Sequence, residues 1–181
     1  MNRVSFTLTE GDVLAAARAN SRAQLFTVKL FVRLVAFVVL SAIVVGAILL
    51  AVGDPLVATI RFVTIGAPVM LAVIYGLVGL IQVRTVPAQA RRNFRQQKAL
   101  WEEVTLSWSP DGLDVATASA QAHRAWSHYL KWREVAAHFL IHQTDQLYII
   151  VPKRAFASAE AMDDFRAALV VGHVARVGQP A

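Results

Sequence analysis

Val4, Phe6 and Leu8 alternate with Ser5 and Thr7, the period-two pattern of a half-buried strand. A helix start follows. Thr9 is placed as N-cap, Asp12 stands three residues on as a variant of the capping box, and Leu8 and Val13 can form a hydrophobic staple. Val13, Leu14 and Ala17 give this helix one weak apolar face, and Asn20-Ser21 is expected to interrupt it or let it restart. The pattern then changes. Leu34–Gly53 and Phe62–Gln82 are uncharged apolar runs on either side of a Gly53-Asp54-Pro55 turn. Each has roughly the 20 residues that a helix needs to cross a ~30 Å hydrocarbon core.

Span one has no proline, while span two contains Pro68 with Gly66, Gly76 and Gly79 nearby. Proline can kink this helix, and Gly76 and Gly79 are expected to allow close approach of the first span near Gly46. The interior of the two spans offers only Ser41, Thr64 and Tyr75 as polar side chains, which makes the hairpin an anchor rather than a transport path.

Beyond Arg84 the chain turns basic. Pro87 suits a new helix or a kink in the old one, and Ala90, Phe94 and Trp101 recur at helical spacing. From Glu103 the period returns to two. Val104, Leu106 and Trp108, the turn Ser109-Pro110-Asp111-Gly112, then Leu113 and Val115 predict an antiparallel hairpin over 103–117. Arg124–Ser127 reads as a strand centred on Trp126, a large aromatic suited to anchoring a small core, and Leu130–Glu134 as a short strand or turn. His138–His142 and Gln146–Val151 form a second hairpin ended by Pro152. Ser158 as N-cap, Glu160 in the first turn, Met162, Phe165 and Leu169 on one face and Gly172 past the end predict a closing helix.

Composition agrees with two spans plus one small domain. Of 181 residues 56% are hydrophobic, and the mean hydropathy is +0.50. There is no cysteine, which removes disulfides, thiolate metal sites, thiol nucleophiles and cysteine lipidation. Met1–Ala19 carries Glu10 and Asp12 where a secretory signal needs an apolar core, so the first span is expected to stay in the membrane. The net charge of +6 is concentrated beside the spans: Arg18, Arg22, Lys29 and Arg33 before the first, Arg84, Arg91, Arg92, Arg95 and Lys98 after the second. The turn holds only Asp54 and Arg61. By the positive-inside rule both termini are cytoplasmic. Charge gathered at membrane boundaries argues against nucleic acid as a partner.

The chemistry-bearing residues point to binding rather than catalysis. Arg91, Arg92, Arg95 and Lys98 are the candidate contacts for anionic lipid headgroups, each worth ~1 kcal/mol near such a surface. The alternative is a solvated connecting helix with one packed face. Lys153-Arg154, at a strand end beside Pro152 and Phe156, is a candidate edge for an anion or a protein partner; the bland alternative leaves both cations in water. His138 and His142 would be about 13 Å apart along a strand, too far to chelate together. His123 and His128 would have to come from neighbouring strands, so no metal or cofactor is expected. Glu102-Glu103 and Asp163-Asp164 diverge on strand or helix and read as solvated charges. No nucleophile elbow or phosphate loop is present, and the chain is not expected to be an enzyme.

In order and in residues the chain resembles the YcxB-like family of bacterial membrane proteins. The resemblance begins with Phe6-Thr7-Leu8-Thr9-Glu10 and continues through two spans, a basic helix and Asp111-Gly112. Trp126-Ser127, Glu134 and the more specific Val151-Pro152-Lys153-Arg154-Ala155-Phe156 run follow, then a last helix. It implies a C-terminal domain similar to a bacterial pleckstrin-homology fold, a bent antiparallel sheet closed at one end by a helix, and implies no activity.

The expectation is therefore an α+β membrane protein: strand and helix over 1–28, transmembrane hairpin over 29–85 with spans about 34–53 and 62–83, basic connecting helix over 86–102, PH-like cytoplasmic domain over 103–175, tail over 176–181. Its place is the bacterial cytoplasmic membrane, as an anchored interaction or regulatory module. The rival is a structural subunit of a larger membrane complex that uses the hairpin as partner surface. The bilayer, anionic headgroups, an unidentified protein and a second copy of the chain are the expected partners. The first strand is expected to join the C-terminal sheet, since it would otherwise leave an open edge. For topology, Ala58→Cys and Ser119→Cys should react with impermeant reagents from opposite sides of the membrane. Labelling of position 119 in intact cells, with position 58 spared, would reverse the orientation.

Overall fold

The computed structural model describes residues 2–25, 28–53 and 55–177. The chain forms two compact units, one of residues 1–19 and 89–181, the other of 20–88. In the first, β1 (Asn2–Thr7) pairs antiparallel with β2 (Glu103–Trp108), from Asn2 opposite Trp108 to Thr7 opposite Glu103. The expected joining of this strand to the sheet holds, and everything from Leu8 to Glu102 is an excursion between two neighbouring strands. β3 (Gly112–Ala116) and β4 (Gln121–Ala125) complete one antiparallel sheet in the order β1-β2-β3-β4.

A second sheet holds β5 (Lys131–Glu134), β6 (His138–His142), β7 (Tyr148–Pro152) and β8 (Ala175–Arg176), in the order β7-β6-β5-β8. The single bent sheet of the sequence reading is thus two sheets. The division falls at Trp126–His128, a 3-10 turn where a strand centred on Trp126 was expected. Trp126 is buried there, and its indole N–H donates to the Ser109 carbonyl (2.9 Å), which holds the chain out of strand pairing. Arg176 and Val177 are not a frayed tail: β8 lies parallel to β5, and the Val177 N–H reaches the Trp132 carbonyl (2.9 Å).

Both sheets and α5 (Ala159–Val171) enclose one core. Val4, Phe6, Leu106, Trp108 and Leu113 come from one sheet, Trp132, Phe139, Ile141 and Val151 from the other, Phe165 and Leu169 from the helix. Phe165 meets the rings of Trp108 (4.8 Å) and Phe139 (5.5 Å) edge-on, an arrangement that adds to area burial. Ser158 caps α5 by accepting from the Ala161 N–H. At its other end the left-handed residue is His173 (φ 56°), not Gly172 (φ −71°).

In the other unit, α2 (Val28–Val52) ends at Gly53, whose φ of 91° suits the residue after a helix. The chain returns as α3 (Leu56–Arg61), a π-turn at Phe62–Gly66 and α4 (Ala67–Gln96). Pro68 cannot donate to the Thr64 carbonyl, so the regular ladder breaks at this point, and the Thr64 hydroxyl donates to the Ile60 carbonyl (2.8 Å). Two stretches, Val32–Val52 and Thr64–Gln96, are long and apolar enough to cross a membrane. Their large side chains are mostly exposed, as Val39, Ile43, Val69 and Leu80 show.

Three local expectations change. α1 (Glu10–Leu25) runs through Asn20-Ser21 without a break, and the Ser21 hydroxyl is engaged by Gln82 (2.5 Å) rather than competing for the backbone. α4 continues through Pro87 to Gln96, so the connecting helix is the end of the second long helix. A Cβ added at Gly76 or Gly79 would meet nothing within 4 Å; among the described residues the buried positions of the hairpin are Val38 and Ala42.

Gly172 is set by space rather than by φ. A Cβ there would lie 2.3 Å from Cγ of Trp126, itself pinned through its indole N–H. Gly172→Ala should cost ~1–3 kcal/mol by overpacking and lower the Tm of the folded unit, followed by near-UV circular dichroism. An unchanged Tm would mean that Trp126 moves freely.

Candidate functional site

The basic end of α4 forms one candidate surface. Ala90 is buried and fixes which face of the helix turns inward. Phe94 packs on Trp101 (6.2 Å), whose indole N–H donates to the Phe94 carbonyl (2.9 Å), so the 3-10 turn Lys98–Trp101 folds back on the helix. Arg91, Arg92, Arg95 and Lys98 are all exposed. Arg91 and Arg95 share Glu10 of α1 at 3.3 and 4.0 Å. Arg92 and Lys98 have no carboxylate partner among the described residues. Exposed pairs such as those on Glu10 hold a side chain weakly.

The second candidate, Lys153-Arg154, lies in a different setting. These residues begin a 3-10 turn after β7, and each turns into an ion pair within the same unit. Arg154 donates to Asp12 (2.7 Å) and to the Thr7 carbonyl (3.0 Å), while Lys153 reaches Glu134 (2.8 Å) and lies over the Phe139 ring (5.6 Å). Neither is an isolated cation in water.

Asp12 is the centre of the first of these clusters. It closes the expected capping box: its Oδ2 accepts from the Thr9 N–H (2.8 Å), and its own N–H donates to the Thr9 hydroxyl (3.2 Å). Its Oδ1 accepts from Nε2 of His138 (2.8 Å). Burial works against the charged carboxylate, but the bonds from His138 and Thr9 and the charge of Arg154 outweigh it and hold Asp12 below the ordinary range. His138 is buried, and its Nδ1 has no partner among the described residues. The cluster ties the first turn of α1 to β6 and to the turn after β7.

Glu134 organises the other cluster. Arg166 of α5 grips it with two donors (2.7 and 3.0 Å), Lys153 adds a third, and Arg176 approaches at 3.7 Å. The Arg166 bond, against the cost of burial and with help from Lys153, pulls its pKa to about 2. Glu134 was noted only as part of the family resemblance. Its partners lie 19 to 42 residues away, and no spacing rule finds them.

Several of the remaining sequence candidates are bonded too. Asp164 accepts from the Trp108 indole (2.9 Å) and from Asn2, Asp163 pairs with Arg166, and Glu102 accepts from the Ser119 hydroxyl (2.8 Å). These bonds tie turns and helix α5 together, while Glu103, Asp163 and Asp164 stay exposed, as their reading as solvated charges expects. His142 is buried, and burial lowers its pKa. His123 pairs with Asp114 across strands (2.7 Å). Among the described residues no group of three or more His, Asp or Glu converges as a metal site would require.

Because Glu134 is depressed in the folded state, its contribution to stability is present above its unfolded pKa, near 4.3, and is lost as the pH falls toward about 2. Glu134→Gln leaves three cations without their shared carboxylate. The partners are partly solvated, so it should cost about 2 kcal/mol at neutral pH. It should also flatten the acid limb of a Tm-against-pH curve between pH 4.5 and 2. A variant that melts like the parent at pH 7 would remove Glu134 from the stability argument.

No curated protein and no solved structure matches the chain. A family model does match, that of the YcxB-like protein, over residues 108–169, about a third of the chain. The segment runs from the last residue of β2 through both clusters' sheet residues to Leu169 of α5, and leaves β1, Asp12 and the long helices outside it. It contains Trp126-Ser127, Glu134 and the Val151–Phe156 run that carried the resemblance, and over these residues the chain is similar to the YcxB-like proteins.

Proposed function

We propose that this chain is a membrane-anchored interaction or regulatory module of the bacterial cytoplasmic membrane, with two spans, both termini cytoplasmic, and a PH-like domain on that side. The observation that carries the reading is the course of α4. One continuous helix holds the apolar stretch up to Val83 and then Arg84, Arg91, Arg92 and Arg95. At 1.5 Å per residue Arg91 follows Arg84 by ~10 Å. Side chains on a helix lean toward its N-terminus, here back toward the apolar stretch, so the guanidinium groups are aimed at the headgroup layer. Two antiparallel meanders over one core, closed by α5, suit a PH-like scaffold. The reading includes no catalytic step.

A second reading, a subunit of a larger membrane assembly, draws on a cleft of about 350 Å³ in the hairpin, lined by Val35, Val39, Ile43, Pro68 and Leu71 among others. Its lining is apolar, as a surface for another helix would be. The hydroxyls of Ser41 and Thr64 are bonded to their own helix (2.8 Å each), so it offers no polar route.

Native mass spectrometry of the full chain, with phosphatidylglycerol or phosphatidylcholine added to the detergent, separates the readings. The module reading expects selective retention of the anionic lipid, weakened by salt and largely lost when Arg91, Arg92, Arg95 and Lys98 are changed to Gln. Equal retention of both lipids, or none lost in the variant, removes headgroup contact. A crosslinked membrane protein found at Val39 or Leu71 in native membranes would favour the subunit.

A further inference from the structure

Each sheet has two outer strands, and an outer strand must leave backbone donors and acceptors unpaired unless something covers them. β1 is engaged at its end, where Arg154 takes the Thr7 carbonyl and the Lys153–Ala155 turn lies against the strand. β7 is half to fully buried, and β8 is two residues long. β4 differs. Gln121 to Arg124 are exposed, Ala125 is partly so, and the strand carries no Pro or Lys to blunt its edge.

The phase of the ladder says which groups are free. β3 and β4 pair from Gly112 opposite Ala125 to Ala116 opposite Gln121, and the next pair is closed by the Thr117 N–H on the Ala120 carbonyl (2.7 Å). Hydrogen-bonded pairs alternate along an antiparallel ladder. Ala122 and Arg124 therefore face β3 with their backbones, and Gln121, His123 and Ala125 face outward. The Ser109 N–H on the Gly112 carbonyl (3.0 Å) fixes the same phase from the β2 side. Three N–H and three C=O groups stand in a row with no protein partner among the described residues.

We propose that this edge is the interface between two copies of the chain, with β4 strands antiparallel about a two-fold axis at His123. The edge is complementary to itself. Gln121 falls opposite Ala125 of the second copy and His123 opposite His123, so the three outward residues of each strand meet as hydrogen-bonded pairs. Arg124 falls opposite Ala122, which leaves room for the long side chain and brings no arginine against another. Each imidazole is bonded to Asp114 of its own chain (2.7 Å), so no two bare cations meet on the axis. The closed two-fold joins two four-stranded sheets into one of eight strands and consumes both open edges. The inference is independent of the lipid reading.

The natural absence of cysteine makes the test clean. In full-length chain oxidised in native membranes, His123→Cys should give a disulfide dimer. Residues in a hydrogen-bonded antiparallel pair lie about 5.5 Å apart at Cα, inside disulfide reach. Gln121→Cys alone should stay monomeric, because its two copies would be about 13 Å apart along the strands. Gln121→Cys mixed with Ala125→Cys should crosslink. His123→Pro removes an outward N–H and the exposed imidazole's bond to Asp114 but no bond of the β3–β4 ladder, and should abolish the parent's dimer in light scattering while leaving its near-UV spectrum. Monomer throughout, equal crosslinking of Gln121→Cys alone, or capture of a different protein at position 123 in place of a second copy would each overturn the proposal.

Discussion

The β1–β2 ladder is the constraint on which the rest of the structure depends. It pairs Asn2–Thr7 with Glu103–Trp108, so both long helices lie inside what is formally a hairpin loop. For a flexible loop of roughly 95 residues the length-dependent part of closure entropy is only about 4 kcal/mol, because it grows with the logarithm of length. Stability is recovered by burial of Val4 and Phe6 against Leu106 and Trp108. With β1 in place, Asp12 arrives three residues beyond Thr9 and can reach His138 and Arg154. The N-terminal strand is thus a structural member of the C-terminal unit, and a fragment that begins at β2 lacks both an edge strand and the carboxylate that ties α1 to β6.

Electrostatics sort the cations into two groups. Where a carboxylate is part of the fold, cations are committed to it: Lys153, Arg166 and Arg176 to Glu134, Arg154 to Asp12. A partly buried carboxylate needs such partners, since its desolvation is otherwise uncompensated. At the end of α4 the half-exposed Glu10 faces two arginines, and Arg92 and Lys98 have no carboxylate partner among the described residues. This difference in commitment, rather than the density of basic residues, separates the two sequence candidates.

The same accounting applies to backbone groups. The edge of β1 is engaged at Thr7, β7 is half to fully buried and β8 is two residues long. β4 alone combines full length with exposure on both faces. Its register makes a second copy a geometrically suitable partner.

Much of this was legible in the sequence because it depends on local chemistry. The two apolar runs, the Pro110-Asp111-Gly112 turn, the Thr9–Asp12 capping box, the Ser158 cap and the alternation of Val4–Leu8 each fall within a few residues, where φ/ψ preference and hydrophobic period act directly. The family resemblance was legible for the same reason, in the short Val151–Phe156 run. Tertiary structure decided what lies at long range. Trp126 left its strand because its indole found Ser109, Gly172 is small because Trp126 lies against it, and α1 passed Ser21 because Gln82 took its hydroxyl. Lys153 and Arg154 appeared free in the sequence because their carboxylates stand 19 and 142 residues away. A side chain's local preference is worth tenths of a kcal/mol, whereas one buried contact is worth several times that, so wherever the folded chain supplied a distant partner, the partner set the outcome.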